Sequence, residues 1–185
     1  LSRALPRFAR EAVRRSRYRY AHWRVGYRFT DGGGVAQAAT LGDGWRVLED
    51  DGSRFFADPF PVQYEDRWYI FVEDYSHAAG KAVISVSAID AGGRADMPVP
   101  VLEEPHHLSY PQVFPHAGTM WMLPEASASG RLTLYRSERF PEIWAPEAVL
   151  IEGELSDATL LEREDGFWLF ATDRDGGSTS DTLVV

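Results

Sequence analysis

Apolar and polar residues alternate through much of this chain, and the alternation comes in short paired runs. FADPFPVQYEDRWYIFVEDY (residues 56–75) holds two such runs around an acidic turn at Glu65 and Asp66. Alternation with period two over runs of this length predicts half-buried strands, so the stretch reads as a β-hairpin. Its second strand ends in the acids Glu73 and Asp74, which read as the start of a solvated loop. Lys81–Ile89 alternates in the same way, and Val99–Leu102 is short enough for an outer strand.

The hairpin recurs twice. FADPFPVQYEDRWYIFVED, LSYPQVFPHAGTMWMLPEA and LSDATLLEREDGFWLFATD align with Asp58, Tyr110 and Asp157 at the head. Tyr69, Trp121 and Trp168 then align in the second strand, and Glu73, Glu125 and Thr172 at its end. The spacing is 52 residues and then 47, and each head lies 15 residues before the matching end. In the second unit, Arg131–Arg136 and Ala148–Ile151 supply the outer strands, joined by SERFPEIW; the third reaches DTLVV inside its third strand. Periods near 50 residues built of short strands are the signature of propeller blades. The expected fold is therefore all-β, a partial β-propeller of about three blades starting near residues 56, 108 and 155. Tyr69, Trp121 and Trp168 are expected in the core between blades.

Before the repeats, HWRVGYRF (residues 22–29) alternates with Trp23, Val25, Tyr27 and Phe29 on one side and reads as a strand. Val35–Thr40 and Trp45–Leu48 are weaker strand candidates. Leu5, Phe8, Ala9, Ala12 and Val13 fall on one helical stripe, so residues 5–19 read as a short basic N-terminal helix. The chain thus divides into a helix or linker over residues 1–21 and a propeller portion over 22–185. A chain that begins at Leu1 and holds fewer than three complete blades, where four or more close a ring, is expected to be part of a longer protein with an adjoining domain. Open blade edges would favour self-association.

Charge narrows the partners. The formal net charge is −9, yet residues 1–28 carry nine Arg and one Glu, leaving the body strongly acidic. Such a body is a poor nucleic-acid binder, since that role needs a basic face. It suits a neutral or cationic ligand, carbohydrate among them. The absence of cysteine removes disulfides and thiolate metal sites. No apolar run reaches the length of a membrane span, and no signal peptide is visible, which favours a cytoplasmic reading. No spacing of His, Asp and Glu matches a zinc site, and DRDGGSTSD (173–181) lacks the closing glutamate of a calcium loop. Neither a nucleotide-binding glycine motif nor a nucleophile elbow occurs. No cofactor is expected.

In a blade the first strand lines the central channel and the second returns to the same mouth. Asp58, Tyr110 and Asp157 should therefore ring one mouth, with Glu73 and Glu125 beside them and His107 just before the second head. Crowded carboxylates push one another's pKa values apart, as a general acid and base require. Each residue also has a structural reading. Asp58 before Pro59, and Asp157 in SDAT, suit turns that hold backbone donors.

The motifs FADPF, HHLSYP, MLPE, LYRSERFPEIW and SDATLL, in this order, resemble the five-bladed propeller domain at the N-terminus of plant glucosamine inositolphosphorylceramide transferases. The resemblance covers roughly residues 20–185. That domain is in turn similar to the propellers of glycoside hydrolase families 43, 32 and 68. The resemblance implies a five-bladed propeller and matches Asp58 to the aspartate that acts there as general base or nucleophile. It places Tyr110 where those families have an aspartate, and Asp157 where they have the glutamate acid. Glu125, expected near the same mouth, could substitute as the acid. Three functions follow: a carbohydrate-binding accessory domain of a glycan- or glycolipid-modifying enzyme, with Glu73, His107 and Tyr110 holding ligand; a glycoside hydrolase using Asp58 with Glu125 or Asp157; and a protein-interaction propeller.

Overall fold

The computed structural model describes residues 21–30, 40–174, 177 and 182–185. The helix expected over residues 5–19 lies outside them, as does the strand expected over 35–40 apart from Thr40. Every regular element longer than a single 3-10 turn is a β-strand, so the all-β expectation holds for the described residues.

Four antiparallel sheets follow in chain order, none of them closed. A two-stranded ribbon pairs β1 (Gly26–Tyr27) with β2 (Arg46–Val47). The second sheet is a meander of β3 (Arg54–Tyr64), β4 (Arg67–Ser76), β5 (Lys81–Ile89) and β6 (Val99–Leu102). The third repeats it with β7 (Ser109–His116), β8 (Thr119–Glu125), β9 (Arg131–Arg139) and β10 (Ile143–Glu152). The fourth holds β11 (Leu155–Arg163), β12 (Gly166–Asp173) and β13 (Leu183–Val184).

The sheets pack face against face, because successive side chains point to opposite faces and the run of buried residues in an inner strand such as β4 leaves both of its faces apolar. Val25 and Leu48 close over Phe56, Ile70, Val72 and Ile89 of the second sheet. On the other side of that sheet, Tyr69, Phe71, Ile84 and Val86 meet Val113, Met120, Met122, Tyr135 and Trp144 of the third. Leu123 and Leu132 then face Leu155, Ala158 and Ala171 of the fourth. First strands lie near one another across the seams, β3 by β7 and β7 by β11. A fully buried Phe71 alone stabilises the fold by about 1.5–3 kcal/mol of hydrophobic transfer.

Several local expectations change. The strand read over 22–29 shrinks to Gly26–Tyr27: Val25 is buried, but Trp23 and Phe29 are exposed. Alternation there has a partner ladder of only two residues, too short to hold one face inward. β4 runs through Glu73 and Asp74 to Ser76, so these acids are not a solvated loop; Asp74 is buried, bonded to Arg54 Nη1 at 3.0 Å and Ser85 Oγ at 2.7 Å. The outer strands of the third sheet are longer than read, because the connector SERFPEIW continues both and turns only at Phe140–Glu142. Of the three aligned aromatics, Tyr69 is buried and Trp121 half-buried, while Trp168 is 53% exposed. Trp168 occupies the same register as Tyr69, on the face of the fourth sheet that no described sheet covers.

Candidate functional site

The heads of β3, β7 and β11 share one backbone device. In each first strand the ladder slips at the corresponding place: after Ala57 opposite Glu73, Ser109 opposite Glu125, and Ser156 opposite Thr172. Two residues of the first strand then oppose one of the second, which is a β-bulge. The first bulge residue in each case is Asp58, Tyr110 or Asp157, with φ of 47°, 44° and 52°. Positive φ in a non-glycine residue costs of order 1–3 kcal/mol and persists where surrounding structure holds it. Three equivalent side chains are thereby re-aimed out of the pleat at the same end of the sheets.

Asp58 is half-buried, and its Oδ2 accepts the backbone N–H of Tyr110 at 3.3 Å. Among the described residues its Oδ1 has no donor. Burial pushes the Asp58 carboxyl up from the ordinary aspartate range, and the charges of Glu73 and Asp157 add to this, against the Tyr110 N–H and His107. Glu73 Oε1 meets His107 Nε2 at 3.3 Å. The Ala82 N–H donates to His107 Nδ1 at 3.2 Å, so the neutral ring carries its proton on Nε2, toward Glu73. The Tyr110 hydroxyl bonds Thr159 Oγ1 at 3.0 Å across the next seam.

Glu125 is held differently. Its Oε1 accepts Ser127 Oγ at 3.1 Å and Ser156 Oγ at 3.3 Å, and its Oε2 accepts the Asp157 N–H at 3.1 Å. Arg174 Nη1 backs this up by donating to Ser127 Oγ at 3.0 Å. Burial first, then the Asp157 charge, push the Glu125 carboxyl up. A protonated Glu125 can donate to the Asp157 carboxylate, which is itself exposed.

The six residues singled out in sequence gather at two neighbouring seams, linked by the Asp157 charge acting on Asp58. Asp58, Glu73, His107 and Tyr110 meet at the seam of the second and third sheets, and Glu125 and Asp157 at the next seam. Asp58 and Glu125 perform the same local task, each fixing the N–H of the following sheet's bulge residue. Sequence reasoning missed Gln112, whose amide takes both the N–H (2.6 Å) and the C=O (2.8 Å) of Leu160. Its position two residues after the Tyr110 head was the available signal. Among the described residues no group of His, Asp and Glu is arranged to hold a metal ion. The loop at 173–181 lies mostly outside the described residues. No helix among the described residues is long and apolar enough to cross a membrane.

These features define an all-β domain of stacked antiparallel meanders whose carboxylates collect at the bulged heads of its first strands. Residues 46–183 match the family described as "Glucosamine inositolphosphorylceramide transferase 1, N-terminal", and the chain belongs to that family. It is 36% identical over 125 residues to glucosamine inositolphosphorylceramide transferase 1 of Arabidopsis thaliana, covering 67% of this chain. The protein of the same name from Oryza sativa subsp. indica is 36% identical over 122 residues, or 65% of this chain. The chain spans 16% of the length of each of these relatives.

Proposed function

We propose that the chain is the carbohydrate-binding part of a larger glycan- or glycolipid-modifying enzyme, built as part of a five-bladed propeller. Stacked meanders with neighbouring first strands support the propeller reading. The relatives' name, glucosamine inositolphosphorylceramide transferase 1, supports the enzyme context. One observation carries the binding role: Asp58, strained and half-buried, keeps one carboxylate oxygen free beside the Glu73–His107 pair. A polar group so placed is equipped to accept a ligand hydroxyl. Tyr110 and Asp157, re-aimed by the same bulge, extend the polar rim.

The second reading, glycoside hydrolysis, has one observation in its favour. The carboxyls of Asp58 and Glu125 are both pushed up, as a proton donor requires. Against it, Glu125 spends both oxygens on three protein donors.

A glycan array probed with the full-length protein tests the proposal. Wild type should show discrete hits, and Asp58→Ala should lose them. Hits indifferent to Asp58→Ala would remove Asp58 from the site, and an array without hits for wild type would sink the reading in favour of a protein-interaction role. Release of 4-nitrophenol from aryl glycosides, abolished by Asp58→Ala, would instead establish hydrolysis.

A further inference from the structure

A cleft of about 450 Å³ opens beside the carboxylate set, bordered by Trp23, Phe55, Glu73, Tyr75 and His107. Two other clefts, at Tyr27 and Arg46 and at Phe29 and Trp68, share no residue with that set. The walls here are aromatic. Phe55 and Tyr75 stack with ring centroids 4.8 Å apart and planes 15° from parallel, and the His107 ring lies 6.1 Å from Tyr75. Trp23 stands at the rim with 62% of its surface exposed. A lone exposed tryptophan is ordinary. One that rims a cleft with ring walls and a hydrogen-bonding pair is the composition of a small-molecule site.

The polar pair is oriented for use. With its proton fixed on Nε2 by the Ala82 N–H, His107 donates to Glu73 Oε1. Among the described residues Glu73 Oε2 has no donor, so it remains an acceptor for a ligand hydroxyl. A pyranose ring offers both kinds of surface at once: a C–H face for an aromatic ring and equatorial hydroxyls for a carboxylate. The cleft is also continuous with the Asp58 region, because Glu73 and His107 line it and both act electrostatically on Asp58.

We infer that the cleft is a second, stacking subsite for a pyranose ring, so that the ligand is at least a disaccharide: one ring at Asp58, the next against Trp23 with its hydroxyls on Glu73. This rests on the carbohydrate-binding reading above. The loss of that reading and the loss of this one are separable. The test is calorimetric titration of the full-length protein with methyl pyranosides of glucose, galactose, mannose and glucosamine, and with disaccharides of the same units. For the sugar recognised, the disaccharide should bind roughly tenfold tighter than its methyl monosaccharide. Trp23→Ala should erase most of that ratio, and Trp23→Phe should restore part of it, with unchanged thermal melting in both variants. Equal affinity for the two lengths, or a ratio that survives Trp23→Ala, would overturn the subsite and leave carbohydrate binding at Asp58 standing. No binding of any sugar by wild type would overturn both.

Discussion

The two seams that flank the third sheet are fastened by different means. Between the second and third sheets the packing is bulky: Phe71 and Met122 are fully buried, and Phe71 lies edge-on to Trp144 at 5.9 Å. At the head of that seam the Tyr110 N–H bonds Asp58 and His107 bonds Glu73, each through one carboxylate oxygen, and away from the head the Tyr135 hydroxyl donates to Glu104. Between the third and fourth sheets the core is thinner, with Leu123 and Leu132 against Leu155, Ala158 and Ala171. There the polar groups are committed. Gln112 brackets Leu160, Tyr110 reaches Thr159, and Glu125 takes three donors. Where large apolar side chains hold two sheets together, the carboxylates at the bulged heads keep unfilled hydrogen-bonding capacity. Where they do not, the same repeat positions become fasteners. The equivalent residues Glu73 and Glu125 therefore differ in what they can offer a ligand.

The largest test of this contrast is Phe71→Ala. It should cost about 3–5 kcal/mol in urea unfolding, as for a fully buried aromatic. Leu132→Ala in the thinner seam should cost less, near the low end of the 2–5 kcal/mol range. The reverse order would mean that the seams do not divide as described.

Next, Glu125→Ala strips the acceptor from one N–H and two hydroxyls, with an expected loss of about 2–3 kcal/mol. Asp58→Ala should cost about 1 kcal/mol or less, since a single bond is lost at a half-buried site. Equal losses from the two substitutions would break the distinction between fastener and free acid.

The pH dependence sharpens it further. Glu125 has a raised carboxyl in the folded chain, so the native state binds its proton more tightly than the unfolded state does. Its contribution is complete below the ordinary glutamate range and is lost as pH rises through the raised value. Stability should fall over that window, and Glu125→Gln should flatten the fall. A steeper fall in the variant would contradict the direction. Asp58 shifts the same way, so Asp58→Asn should flatten the remainder.

The smallest effect is expected at Asp157. Glycine adopts φ of 52° without penalty, so Asp157→Gly should raise stability by up to ~1 kcal/mol while removing a negative charge beside Glu125. The midpoint of Glu125 titration should move down with it. A destabilised variant would show that the aspartate side chain contributes more than its backbone strain costs.

Much of this was legible in the residues. Lys81–Ile89 and Val99–Leu102 read as strands with the bounds they have. The 52- and 47-residue spacings carried Asp58, Tyr110 and Asp157 to equivalent positions, which the structure realises as three bulges with matching φ. Period-two alternation and a constant offset are properties of the backbone pleat, so they survive in one dimension. Other features needed the fold. Asp74 looks like its neighbour Glu73 in sequence, yet once β4 continues, alternation buries it against Arg54 and Ser85. Trp168 matches Tyr69 in register, yet its exposure depends on whether another sheet lies against that face. The division of labour between Glu73 and Glu125 also depends on partners tens of residues away: His107 for one, Ser156 and Asp157 for the other. The repeats, the strands and the residues at the heads can be read along the chain, because they follow from local alternation. Only the tertiary structure decided which of those carboxylates are spent on neighbouring sheets and which remain free, because hydrogen bonds across a seam join residues that no local pattern relates.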